Sequence, residues 1–294
     1  MAQPIPLSRP DLTQKEIDAV TDVLHGNTLS IGPRLEAFEQ RCAKLTGRRH
    51  AIGVSSGTSG LHCCMLAAGI DSGDEVITTP FSFVASTNCI LYVGARPVFV
   101  DIDPKTLNMD VDRVAEKITP NTKAIVGVEA FGHPGGMVEL EQLAQQHELM
   151  FIEDSCEGFG GHVVTPNGER AIGSFGRAGV FGFYPNKQIT TGEGGMIVTD
   201  DDNFAAACRA LRNQGREDLV ESGALGPPER RVEFTEAVIP PESFVRESRR
   251  TLAPLVAQRP TRRGERVVVG DDHATLAGRD LLVRIKAENR GATE

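Results

Sequence analysis

Short apolar runs, set apart by longer stretches with one apolar face, give residues 1–216 their rhythm. "EVITT" (75–79), "PVFV" (97–100), "KAIVGV" (123–128), "LMFIE" (149–153) and "GMIVT" (195–199) are short and mostly apolar, as strands buried on both faces are. Residues near 58–69, 83–93, 110–118 and 137–148 carry helical spacing between them. Upstream, "TQKEIDAVTDVLHG" opens with Thr13 and Glu16 at capping-box spacing and stops at Gly26. Pro33 suits the first turn of "PRLEAFEQRCAKLTG". This alternation predicts an α/β fold with a mostly parallel central sheet and flanking helices. Ligands of such sheets bind beyond the carboxyl ends of the strands.

The pattern breaks near residue 217. Residues 217–294 contain twelve Arg, one Lys and no Tyr, and their apolar positions keep neither period for long. "ERVVVG" and "RDLLVRI" suit short strands, and "PESFVRESRRTLAPLVA" a weak helix. Two regions are therefore expected: a large domain over 1–216, and an atypical segment over 217–294 that is poorly ordered or partly folded.

Composition narrows the classes of function. With 40% hydrophobic residues in 294, the chain can bury a substantial core. A net charge of −9 without a basic stripe argues against nucleic acid as a partner. The six cysteines (42, 63, 64, 89, 156 and 208) lack metal-ligand spacing and read as reduced core residues, so no metal is expected. "MAQPIPLSRPDLTQ" lacks the basic and apolar blocks of a signal peptide, and no apolar run reaches the ~20 residues of a membrane span. A cytoplasmic protein without a membrane partner is the expectation.

Four places carry residues suited to chemistry. "SSGTSGL" (55–61) sets Gly57, Thr58 and Ser59 at the head of a helical run. Glycine lets backbone approach a ligand and a helix start offers free N–H groups to an anion; an ordinary Ser/Thr cap looks the same. Asp154 follows "LMFIE", where a carboxylate either meets a cation or strong donor or caps the next turn; Glu157 lies one turn on. Phe83 follows "EVITT" and Pro80, where an aromatic ring covers a flat ligand or fills the core. Lys187 stands in "FGFYPNKQITTGEGG" (181–195), after Phe181, Phe183 and Tyr184 and before Gly192, Gly194 and Gly195. An amine attacks an aldehyde only when unprotonated, a form that apolar surroundings favour. A lysine stem resting on aromatic rings is the plainer reading of that position.

Together, an anion site at a helix start, a flat aromatic, a buried Asp and a shielded lysine are what pyridoxal 5′-phosphate requires. The stretches "LSIGPRLEAFEQ", "SSGTSGL", "GDEVITTPFSFVASTNCILYVGARPVFVDID", "FGHPGGM", "IEDSCEGFG", "FGFYPNKQITTGEGGMIVTDDD" and "LRNQGRE" follow one another in a recognisable order. Through them, residues 1 to about 216 resemble the DegT/DnrJ/EryC1/StrS family of pyridoxal-phosphate-dependent nucleotide-sugar aminotransferases, which use the type I (aspartate aminotransferase-like) fold. The resemblance implies that Lys187 is the Schiff-base lysine and moves the proton between the donor's α-carbon and the cofactor's C4′. It implies that Asp154 pairs with the pyridinium nitrogen, that Phe83 stacks on the ring, and that Gly57, Thr58 and Ser59 hold the phosphate. Glu157 stands near the cofactor's hydroxyl, where the family often has Gln. An amino-acid amine donor, with glutamate expected, a keto nucleotide sugar and a homodimer are implied with them. "LSIGP" and "FGHPGG" are placed near the sugar-nucleotide entrance.

Two departures stand out. Gly182 takes a position where many members carry a phosphate-binding Ser. After residue 216 there is no Asn-x-Arg stretch of the kind the family uses to reach the partner's active site. The switch in residue usage predicts a frameshift or other disruption of the last ~78 residues. A catalytically impaired remnant, or a non-catalytic regulatory protein of the same fold, is the alternative function. Lys187 argues against the related dehydratases, which carry His there, and the glycine runs do not form a dinucleotide fingerprint.

Overall fold

The computed structural model describes residues 11–165 and 168–215. The expectations for residues 217–294, including the disrupted frame, lie outside them. In chain order the elements are α1 (Gln14–His25), α2 (Pro33–Thr46), β1 (His50–Val54), α3 (Gly57–Ala67), β2 (Glu75–Thr78) and α4 (Ala85–Tyr92). They continue with β3 (Arg96–Phe99), α5 (Val111–Ala115), β4 (Thr122–Val128), α6 (Met137–Gln146) and β5 (Met150–Asp154). The last are β6 (His162–Thr165), β7 (Gly168–Ala171), β8 (Ala178–Gly182), β9 (Gly195–Thr199) and α7 (Asp202–Arg212).

The seven-stranded sheet has the order β1-β9-β8-β5-β4-β2-β3, and β6 and β7 form a separate hairpin. β3, β2, β4, β5 and β8 pair in parallel, while β9 runs antiparallel between β8 and β1. The expected mostly parallel α/β sheet is what forms. Alternate strand residues feed two layers. Ile152, Val180 and Ile197 meet α3, α4 and α7 through Leu61, Met65, Ile90 and Phe204. On the opposite face Phe151 meets Met137 and Leu140 of α6, and Phe181, Met196 and Val198 pack with Cys42 of α2.

Sequence and structure differ in two respects. "PVFV" was expected as a buried strand, yet β3 is a partly exposed edge, paired only with β2. Pro97 explains this, because a residue without an N–H is tolerated where no further strand needs it. β1, β8, the β6–β7 hairpin and α7 were not anticipated. α7 begins at a conventional cap: Asp201 accepts the Phe204 N–H at 2.7 Å. The capping box at Thr13 and the first-turn Pro33 form as expected. No helix among the described residues is long and apolar enough to cross a membrane.

Candidate active site

Because β1, β2, β4, β5 and β8 point the same way, their following loops gather at one edge of the sheet. There a cavity of about 300 Å³ is lined by residues 80–83, 128–131, Asp154, Cys156, Glu157 and Lys187. Phe83, Asp154, Glu157 and Lys187, far apart in sequence, thus share one cavity. Gly57, Thr58 and Ser59 do not line it. Gly57 packs against Cys156, which does: a Cβ on Gly57 would lie 2.6 Å from the Cys156 Sγ and 3.4 Å from the Gly182 Cα.

The start of α3 has the makings of an anion cradle. Ser56 caps it, with Oγ accepting the Ser59 N–H at 3.0 Å, and the Ser59 Oγ accepts the Ser56 N–H at 3.0 Å in return. Both Ser59 groups are therefore committed to the cap. Among the described residues, no acceptor takes the amides of Gly57 or Thr58. Two open N–H groups at the positive end of a helix suit a phosphate.

Asp154 ends β5 rather than following it, and is 6% exposed. Its Oδ2 accepts the Ser86 hydroxyl at 2.6 Å, whereas Oδ1 meets the Cys156 N–H only at 3.4 Å. A buried carboxylate with one strong donor retains capacity for another, which a pyridinium N–H would supply. Burial, and then the Asp154 charge, push the Cys156 thiol well above its ordinary range, so it stays protonated between the cradle and the cavity. Phe83 is 76% exposed, which rules out the core reading of this residue. Phe131, also on the cavity wall, makes an edge contact with Phe81 at 6.3 Å.

The environment of Lys187 corrects an expectation. Phe181 and Phe183 do not sheathe the amine; they are buried and pack against Phe159, and Phe183 also meets Phe38. Strand alternation and the turn closed by Lys187 N–H to the Tyr184 carbonyl at 2.9 Å send the lysine elsewhere. Its side chain is 17% exposed and pairs with Glu157, Nζ to Oε1 at 3.0 Å. Oε2 of the same carboxylate accepts the Phe131 N–H at 2.9 Å. Phe131 adopts φ 55°, ψ 22°, and Ile31 has φ 49°. Both stand in segments the resemblance assigns to the substrate entrance, and left-handed backbone at such residues is sustained only by its surroundings.

Sequence reasoning missed Ser86, Cys156 and a second acidic pair. Glu153 is fully buried and accepts the N–H groups of Gly173 at 2.8 Å and Phe175 at 2.7 Å. Burial pushes its carboxyl up to about 6. Glu129 is 1% exposed, and neither of its oxygens has a hydrogen-bond partner among the described residues. Burial and then the Glu153 charge push it well above the carboxylate range. The only signal in the sequence was an acid closing an apolar run, in "AIVGVEA" and "MFIED".

The fold and sequence have known relatives. A model of the DegT/DnrJ/EryC1/StrS aminotransferase family matches residues 10–226. Over 212 residues the chain is 41% identical to a GDP-perosamine synthase of Escherichia coli O157:H7, covering 72% of this chain and 57% of that protein. It resembles the crystal structure of DesI in the presence of its TDP-sugar product with a TM-score of 0.67 and 37% identity, over 73% of this chain and 54% of that one. NtdA from Bacillus subtilis with bound cofactor PMP matches with a TM-score of 0.66 and 33% identity, over 73% of this chain and 48% of that one. The chain spans little more than half the length of the curated relatives it matches.

Proposed function

The chain belongs to the DegT/DnrJ/EryC1/StrS aminotransferase family, and from that premise we propose that it is the cofactor-binding part of a pyridoxal-phosphate-dependent aminotransferase. The reaction moves an amino group from an amino acid, glutamate first among candidates, to a keto nucleotide sugar. The observation that carries the reading is the meeting of Lys187, Asp154, Glu157 and Phe83 in one cavity beside an open helix start.

The donor set fits the cofactor. Gly57 and Thr58 would hold the phosphate through their unused N–H groups, with Ser59 securing the cap beneath them. Asp154, oriented by Ser86, would keep a proton on the ring nitrogen. Phe83 presents an open face for a planar ring. Lys187 would supply the amine that holds the cofactor's aldehyde and would hold or move a proton at Nζ. Glu157 places that amine. Pyridoxal phosphate, when bound, supplies the electron sink that makes such amino transfer feasible. The nucleotide sugars in the names of the relatives support the acceptor class. A homodimer and a cytoplasmic setting belong to the same proposal.

Purification with added pyridoxal phosphate tests it, alongside Lys187→Ala. A visible absorption band present in the wild type and lost in the variant is expected. Glutamate should bleach that band, and a 4-keto nucleotide sugar should restore it as the amino sugar appears by mass spectrometry. A folded protein without a lysine-dependent band would refute the reading.

A further inference from the structure

One acidic residue in this site is braced from three directions. Glu157 binds the Lys187 Nζ through Oε1 at 3.0 Å and the Phe131 N–H through Oε2 at 2.9 Å. Its backbone carbonyl accepts the Gln188 side-chain amide. Gly132, at φ 76°, approaches that carbonyl so closely that a Cβ would lie 2.4 Å from it. Phe131 takes up left-handed backbone in the same turn. Two loops thus fix one anion beside one amine. A glutamine at 157 would keep an acceptor for Phe131 and lose the charge that holds Lys187.

The proposed function requires the opposite state of this lysine. An ammonium held by a charge-assisted hydrogen bond has no lone pair to offer an aldehyde. We propose that Glu157 is a latch on Lys187: a positioning residue that parks the amine beside the turn at 131–132 and sets how readily it is released. On release the ion pair breaks and the ammonium's proton passes to water. The purpose of the latch rests on the reading of Lys187 as the cofactor lysine, but its existence is testable without any cofactor.

The test uses the full chain without cofactor and the amine-acylating reagent N-succinimidyl acetate. Acetylation is followed residue by residue by peptide mass spectrometry. Lys15 and Lys123, both exposed, serve as internal standards. In Glu157→Gln, acetylation of Lys187 relative to these standards should rise about three- to tenfold, the effect of losing one partly buried charged hydrogen bond. Glu157→Asp keeps the charge on a shorter arm and should fall between the two. A merely structural role for Glu157 would shift thermal stability without this selective change. An equal or slower Lys187 rate in folded Glu157→Gln overturns the latch. If that variant fails to fold, Glu157→Asp decides alone, with a raised ratio supporting the latch and an unchanged ratio overturning it. A second arm adds pyridoxal phosphate and traps the adduct with borohydride. Faster trapping at Lys187 in Glu157→Gln supports both readings. A raised acetylation ratio with no trapping in any variant supports the latch and refutes the cofactor reading.

Discussion

Replacing Glu129 by glutamine should stabilise the protein at alkaline pH and leave it unchanged at acid pH. Glu129 and Glu153 are buried together, and each carboxyl is raised above its ordinary value, Glu153 to about 6. Two adjacent buried acids resist double ionisation, so the folded state binds more protons than the unfolded one. The sign follows. Stability from this source is fully present below about 4.5 and is lost as pH rises through the folded values. For Glu153 alone, moving from 4.5 to about 6 corresponds to about 2 kcal/mol. Glu129, raised further, extends the loss to higher pH. Glutamine is neutral at every pH and brings an NH₂ to a place where no bond is now made. Glu129→Gln should therefore gain on the order of 1–3 kcal/mol at about pH 8 and almost nothing near pH 4.5. Urea denaturation of both proteins across that range measures the difference directly. Parallel stability profiles would refute the reasoning, since they would mean that Glu129 keeps no extra proton in the fold; a variant weaker at every pH would refute the expected gain, since it would mean that the carboxyl makes contacts that glutamine does not.

Three further substitutions probe the frame of the site. Arg48→Ala should cost about 3–5 kcal/mol in urea denaturation. The 6%-exposed guanidinium bonds the carbonyls of Gly173, Phe175 and Gly176 and pairs with Asp200, and Arg48→Lys should restore only part because it lacks the fork. Gly132→Ala should lower the melting temperature through at least ~1–2 kcal/mol of left-handed strain, with the collision against the Glu157 carbonyl added to it. Gly182→Ser should be accommodated, since its Cβ would meet Cys156 at ordinary contact distances of 3.4 and 3.5 Å. The new hydroxyl would stand beside the start of α3 and should tighten pyridoxal phosphate binding about tenfold or more by fluorescence titration, and unchanged affinity would show that the phosphate lies elsewhere.

The parts of the fold that were legible are those whose burial needs large apolar side chains. β2, β4, β5 and β9 are apolar at most positions and were located to within a residue. β1 and β8 escaped because glycine interrupts them, and packing explains the glycine. A Cβ on Gly53 would lie 2.6 Å from the Leu35 side chain, and one on Gly179 would lie 2.6 Å from the Gly173 backbone. Close approach thus removes the bulk that marks a strand in sequence. At the site, Asp154, Phe83 and Lys187 were legible because each follows an apolar run or a turn at the ligand edge. The link from Lys187 to Glu157 was not, because it depends on β5 lying parallel to β8 with Asp154 opposite Val180. Only that register brings residues 157 and 187 together. Ser86 lies on a helix whose pattern says nothing about a carboxylate 68 positions away.

The strand ends also show how one small region surrounds four acids differently. Glu153 faces two backbone N–H groups, Asp154 a hydroxyl, and Glu157 an ammonium and a backbone N–H, while the Glu129 oxygens accept no hydrogen bond among the described residues. Burial, and then the Glu153 charge beside it, drive Glu129 hardest to keep a proton. That division matters for an anionic ligand. With Glu129 neutral, the carboxylates at the cavity are Asp154 and Glu157, and Lys187 offsets the second. The start of α3, with its unused Gly57 and Thr58 N–H groups, packs through Gly57 against the protonated Cys156 thiol. A ligand with a phosphate at one end and a protonated ring nitrogen at the other meets attraction at both ends in only one orientation. Asp154→Asn should therefore weaken the ring end while leaving inorganic phosphate binding at the cradle intact, a contrast that calorimetric titration with pyridoxal phosphate and with phosphate alone resolves. Equal weakening of both ligands would mean that the two ends of the site are not separate.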